Sequence, residues 1–244
     1  MITSPGDAIA WSAAWLAPWR DQGEAVCRRI PQLGLVAALN EARTTNAWPR
    51  FVTHDELTAG EAYEVFIGRT RCVPTRENLH DLFNGLMWLS CAIVKRRLNA
   101  LQAEHIAASS PGAPRGAVRD ALTLFDENAA LLHAPPPLVD ALRQRDWHRL
   151  FVTQREAWRD AELSLFGHAL MEKLVRPRKA ITAHVWLLDE PLGDGTALAA
   201  TLTPERLGAK PFLPLPVLGV PGWSPANADP AFYDDTSVFR PAPK

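Results

Sequence analysis

An α+β fold, predominantly helical and built as a single domain with a small β-hairpin or sheet and an extended Pro-rich C-terminal tail, is what this sequence predicts. Three observations predict it. Apolar residues recur at helical spacing through Leu79, Leu82, Phe83, Leu86, Leu89, Ile93 and Val94. Apolar positions 181, 183, 185 and 187 alternate with Thr182, His184 and Trp186, which is the period of a strand. The run 211–228 is uncharged over 18 residues and holds five prolines, so it cannot form a continuous helix and would be costly to leave exposed. The chain has 244 residues, 47% of them apolar, enough to bury a sizeable core. The Ser/Pro/Gly-rich break at 109–116 is short, so one domain is expected over 1–244. Its parts are a helical region at about 7–108, a hairpin with helices at about 117–188, and a wrapping tail at about 203–244.

Each element follows from local chemistry. Residues 7–45 read as two or three short helices, broken by Pro18 and Pro31. Trp11, Trp15 and Trp19 fall at i, i+4, i+8, a stripe that is more often core than ligand site. Tyr63, Val65 and Ile67 alternate with Glu64 and Phe66, which suggests a short strand or a helix turn. After Pro74, Thr75 is the expected N-cap of a helix over 75–89. Asp81, Asn84, Trp88, Lys95 and Asn99 fall opposite its apolar face, and a break is expected near Ser90 and Cys91. Strands are expected at Ala121–Phe125 and Ala129–His133, turning at Asp126, Glu127 and Asn128. Pro135, Pro136 and Pro137 open a helix. Further helices are expected at Asp146–Arg159 and Leu163–Val175, a strand at Ile181–Leu188, and a helix capped by Thr203 with Pro204 at its first position.

The run Val73-Pro74-Thr75-Arg76-Glu77-Asn78-Leu79-His80-Asp81 resembles the signature of a bacterial domain-of-unknown-function family. The match extends to 119–128, 166–173, 181–184, 214–223 and 232–235, and so covers most of the chain. That family often has Gly where this chain has Ala129. The resemblance implies domain identity and carries no activity.

Composition narrows the function classes. A formal net charge of −1 gives no global attraction to nucleic acid or anionic membrane. The clusters at Lys95, Arg96, Arg97 and at Arg176, Arg178, Lys179 read first as solvated helix faces or ends, second as phosphate sites. Cys27, Cys72 and Cys91 form no CxxC pair, which argues against a disulfide framework and a Cys-rich zinc site. The first Arg, Arg20, follows the N-terminal apolar stretch, so a secretory signal is not expected. The uncharged stretch Leu82–Val94 is 13 residues, too short to span a bilayer. A soluble cytoplasmic protein is the default expectation. Nucleotide-binding glycine loops, the GxSxG elbow, and zinc-finger and RNA-recognition signatures are absent.

Chemistry, if present, falls to scattered His, Asp and Glu. His168 and Glu172 stand at i, i+4 opposite Phe166, Leu170 and Leu174, where they can share a metal, act as an oriented base, or simply hydrogen-bond on a helix surface. His80 and Asp81 point apart on their helix; Asp81 can serve the helix N-terminus and His80 can be a satisfied, partly buried histidine. Glu127 is a candidate from the predicted turn. The candidate catalytic residues are therefore His80, Asp81, Glu127, His168 and Glu172. Arg76, Asn84, Arg155 and His184 are candidate ligand-binding residues. If a divalent metal binds, His80, His168, Glu172 and His184 are the expected ligands. Two readings result: a cleft enzyme performing metal-assisted hydrolysis, or a non-catalytic binding module using nine tryptophans and the Pro-rich tail as a docking surface.

Overall fold

A computed structural model describes residues 5–44, 49–108 and 116–242. The break expected at 109–116 lies almost wholly outside the described residues. Short 3-10 turns at Pro5–Ala8 and Ala14–Trp19 lead into α1 (Arg20–Leu33) and α2 (Leu35–Glu41). Trp11, Trp15 and Trp19 are thus not on one helix. Pro18 sits inside a 3-10 turn and Pro31 inside the last turn of α1, so neither proline breaks the chain where expected. Strand β1 (Arg50–Thr53) pairs in parallel with β2 (Cys72–Thr75), and α3 (Tyr63–Thr70) lies between them in sequence. The 63–67 segment is therefore helical, with Phe66 and Ile67 buried. The alternation there was too short to separate the two periods.

Helices α4 (Leu79–Ser90) and α5 (Ala92–Ala107) meet at the expected break, where Cys91 has left the helical region at φ −124° and ψ 39°. The cap of α4 differs from expectation. Thr75 ends β2 and donates its hydroxyl to the Val73 carbonyl, while Asn78 accepts from the Asp81 amide at 2.7 Å. An Asn at this position caps as well as Ser or Thr, and the proline-containing strand leaves no room for an earlier start.

The largest correction is at α6 (Ala117–Asn128), a single helix running directly into β3 (Ala129–His133). The hairpin expected over 121–133 does not form, because Ala121, Leu122 and Phe125 bury one helical face. Asp126, Glu127 and Asn128 are its last turn. Ala129 has φ −74°, so no glycine is needed there. Helix α7 (Pro136–Gln144) starts on its prolines as expected. Beyond it the expected helix at 146–159 divides into a π-turn at Arg149–Thr153 and a 3-10 turn at Arg155–Asp160. The expected helix at 163–175 divides into β4 (Glu162–Leu165) and α8 (His168–Leu174).

Strand β5 (Thr182–Leu187) is followed by α9 (Thr196–Thr201) and α10 (Pro204–Gly208), the latter capped by Thr203 through the Arg206 amide. The tail does more than wrap. Its segment β6 (Leu213–Pro216) completes a four-stranded sheet in the order β4-β3-β5-β6, with β3 and β5 parallel and the outer pairings antiparallel. Pro214 and Pro216 are tolerated because β6 is an edge strand. Leu215, Val217, Leu218 and Val220 are buried, and the tail closes on Tyr233 and Phe239. The whole is an α+β fold, mostly helical, in which one hydrophobic cluster runs from Ile9 to Phe239. Among the described residues no helix is long and apolar enough to cross a membrane.

Candidate metal centre

Three helix ends build the site. Helix α4 packs on α8, and α8 packs on the end of α6. The approach of α8 to α6 depends on Gly167. A Cβ there would stand 2.4 Å from the Asn128 nitrogen and 2.5 Å from the Glu127 carbonyl oxygen. The Gly167 amide donates to the Ala129 carbonyl at 2.8 Å, which pins the start of α8 to the α6–β3 junction. His168, the first residue of α8, is thereby pressed against Asp126 and Glu127. From the other side, the Asn78 cap sets the first turn of α4 and presents His80.

The two imidazoles meet edge to face, with His80 Nε2 and His168 Nε2 3.0 Å apart. Glu127 Oε2 lies 3.4 Å from His168 Nε2. These three residues can each offer one ligand atom within a 4.8 Å group. Each imidazole is backed by a carboxylate. Glu172 Oε2 lies 2.9 Å from His80 Nδ1, and Asp126 Oδ2 lies 3.9 Å from His168 Nδ1, which has no hydrogen-bond partner. At His80 the Glu172 carboxylate on Nδ1 fixes the tautomer that leaves Nε2 free for a ligand; at His168 the Asp126 carboxylate is near Nδ1 without a hydrogen bond. Burial pushes His168 down to about 3, so it is neutral at ordinary pH. Burial, and then the Asp126 charge, push the Glu127 carboxyl up. Burial would also raise Asp126, but Lys95 and then His168 outweigh it and hold that carboxyl below its ordinary value.

Beside the imidazoles lies a cavity of about 220 Å³. Asp81, Asn84 and Trp88 of α4, with Lys95 and Asn99 of α5, the expected polar stripe, all line it. Lys95 is 3% exposed, and its ammonium donates to Asn84 Oδ1 at 2.9 Å and to Asp126 Oδ1 at 2.5 Å. Lys95 is thus a buried wall residue and not part of a solvated basic face. Asn84 passes the network on by donating to the Tyr63 hydroxyl at 3.0 Å. Asp81 accepts from the Arg76 amide and serves the start of α4.

The remaining candidates are dispersed. His184 is not brought to His80 and His168. It sits on β5 against Asn128, 2.7 Å from Nδ2, where it lines a second, open trough of about 780 Å³ that also takes in Glu127. Burial, then Lys173, lower its pKa. Glu172 contacts His80 through the second nitrogen and is not part of the converging group, so the expected ligand set changes from Glu172 and His184 to Glu127. The expected local His168–Glu172 pair is replaced by contacts across elements. Arg155 spends its donors on the tail, at the Asn227 carbonyl, Asn227 Oδ1 and the Tyr233 hydroxyl. Lys95, Asp126 and Tyr63 were not among the expected site residues. The signal for Lys95 was its place on the polar stripe with Asn84 and Trp88. Asp126 lacked one while its segment read as a turn.

The cysteines are free, and burial pushes the Cys27 and Cys91 thiols up to about 11 and about 12, so neither is a thiolate nucleophile. No curated protein and no solved structure matches the chain. One family does match, over residues 49–243, and all the residues of the centre fall within it. The chain therefore belongs to DUF3025, described as a protein of unknown function.

Proposed function

We propose that this protein is a hydrolase that uses a divalent metal held by His80 Nε2, His168 Nε2 and one oxygen of Glu127. The convergence of two imidazoles, 3.0 Å apart at Nε2 with Glu127 beside them and Glu172 holding His80 from behind, carries the reading. Two histidines and a glutamate form an N/O set suited to zinc with a fourth position open. Charge agrees with it. Four carboxylates, Glu64, Asp81, Asp126 and Glu127, face only two fixed cations, Arg76 and Lys95, around the cavity. A divalent cation would cancel the excess of two negative charges.

A metal so placed would supply Lewis acidity and an acidified water at neutral pH. The chain's own groups do the rest. Glu172 orients His80, and the neutral, buried His168 needs no proton loss before it can ligate. Lys95, ion-paired with Asp126 and bonded to Asn84, keeps a third ammonium hydrogen for an oxyanion at the cavity wall. Net hydrolysis joins the water oxygen to the carbonyl carbon, breaks the bond to the leaving nitrogen or oxygen, and passes a water proton to that leaving atom.

The docking alternative has less support. Among the described residues every tryptophan is buried or half-buried and Leu33 is the one exposed large hydrophobic side chain. The test is metal analysis of purified protein with a screen of small amides and esters before and after chelation. Hydrolysis that disappears on chelation and returns with zinc supports the reading. Hydrolysis indifferent to chelation, or none with metal loaded, removes it.

A further inference from the structure

The polar network on the cavity wall has a direction, and that direction ends on Tyr63. Lys95 is its fixed point, because an ammonium carries three donors and no acceptor. Its contact with Asn84 at 2.9 Å therefore falls on the amide oxygen. The Asn84 amide nitrogen is left to face Tyr63 and donates to the phenolic oxygen at 3.0 Å. Asn84 and Tyr63 both line the cavity beside the imidazoles. A hydroxyl that accepts from an amide aims its own hydrogen elsewhere. Among the described residues that hydrogen has no acceptor. Burial, and then the charge of Asp81, push the phenol up, so it keeps the hydrogen at any ordinary pH. Asp126, the carboxylate beside His168, adds to the rise.

We propose that Tyr63 is a catalytic residue of this centre, donating its hydroxyl hydrogen bond to the carbonyl oxygen of a small acyl substrate in the cavity, as the second donor beside Lys95. The assignment rests on the hydrolase reading above and brings α3, which Tyr63 opens, into the site. When the water oxygen bonds to the carbonyl carbon, the C=O π pair moves onto the carbonyl oxygen. The charge gathered there strengthens the hydrogen bond from the phenol, which shares its hydrogen without losing it. The pair returns to the carbon when the bond to the leaving atom breaks. A donor already aimed costs no reorganisation at that moment. Asn84 supplies the aim by holding the phenolic oxygen from behind. The volume of about 220 Å³, roughly seven waters at ~30 Å³ each, keeps the acyl group small.

The test titrates two small zinc-binding probes into zinc-loaded wild type and Tyr63→Phe. Acetohydroxamate brings a carbonyl oxygen to the site, whereas ethanethiol binds zinc through sulfur and brings no oxygen. Tyr63→Phe should weaken acetohydroxamate about tenfold, the scale of one hydrogen bond. It should leave ethanethiol affinity and zinc stoichiometry unchanged. A second readout keeps the wild-type side chains. The protein has two tyrosines, Tyr63 and Tyr233, so fluorotyrosine labelling gives one fluorine resonance for each. Acetohydroxamate should move the Tyr63 resonance and leave that of Tyr233, in the tail, in place. If Tyr63→Phe does not fold, the fluorine spectrum decides alone. Equal acetohydroxamate affinity in the two proteins, equal weakening of both probes, no binding of acetohydroxamate, or an unmoved Tyr63 resonance would overturn the assignment. Zinc retained with any of these results defeats Tyr63 and spares the metal centre; no zinc retained by the wild type defeats the metal centre and the assignment with it.

Discussion

His80 and His168 are 88 residues apart in sequence, yet their Nε2 atoms face one another at 3.0 Å. Two N–H groups cannot point at each other at that distance, so one ring must accept or both must give way to a cation. A shared cation removes the conflict, since both nitrogens then act as acceptors of a metal–ligand bond. Binding to the folded state alone stabilises it in proportion to the logarithm of ligand over dissociation constant. Saturating zinc should therefore raise the melting temperature of wild-type protein and leave His80→Ala or His168→Ala unmoved. Equal shifts in all three, measured by calorimetry, would assign the zinc effect to another place.

The depressed pKa of His168 predicts a pH dependence of stability. Its folded value of about 3 lies below the ordinary 6.5. Between those values the unfolded chain binds the extra proton, so stability rises with pH. The contribution is complete above about pH 6.5 and drains away as pH falls toward 3. At 1.36 kcal/mol per pH unit it is bounded at about 5 kcal/mol. Asp126, held low, acts in the same direction below its ordinary 3.8, while the raised Glu127 opposes from 4.5 upward. Urea midpoints at pH 7, 6 and 5 should decline for wild type and decline less for His168→Gln. A parallel decline would show that His168 is not the titrating group.

Gly167→Ala should cost about 2 kcal/mol, the scale of forced overpacking, because the added methyl meets backbone and not a movable side chain. It should also weaken zinc, since α8 cannot retreat without carrying His168 with it. Wild-type affinity in a destabilised Gly167→Ala protein would separate the glycine from the site.

Lys95→Met should destabilise by about 3 kcal/mol, because it leaves Asp126 without its buried cation. Lys95→Met combined with Asp126→Leu should recover part of that loss. If the double variant is worse than the single by the full cost of a second independent change, the pair is not coupled.

Truncation after Gly208 removes β6 and strips the β5 edge of its partner. The buried Leu215, Val217, Tyr233 and Phe239 go with it. At about 1.5–3 kcal/mol for each buried large side chain, the loss is comparable to the whole stability of an ordinary domain. The truncated chain should show no cooperative melt; an unchanged transition would mean that the tail is an accessory.

Much of the fold could be read from local spacing. Residues 79–107 displayed both their apolar face and their break at Cys91, and the 182–187 alternation gave its strand. The reading failed where two elements join without punctuation. Asn128 ends a helix and Ala129 begins a strand with no glycine or proline between them, so turn-forming residues at 126–128 passed for a hairpin turn. At Phe166 and Gly167 the one glycine, set inside a helix-like pattern, did not reveal the strand-to-helix junction. The site suffered from the same junctions. His80, Glu127, His168 and Glu172 were visible as residue types, but their pairing across α4, α6 and α8 depends on the Gly167 contact, which no periodicity encodes. His184 and Arg155 stood out equally in sequence and serve the sheet and the tail instead.

The most direct measurement is calorimetric titration of zinc into chelator-treated wild type, His80→Ala, Glu127→Gln, His168→Ala and His184→Ala. The metal-centre account predicts one zinc per wild-type chain, loss of that binding in the first three variants, and wild-type binding in His184→Ala. Absence of stoichiometric zinc in the wild type, or a loss in His184→Ala equal to the others, would contradict it.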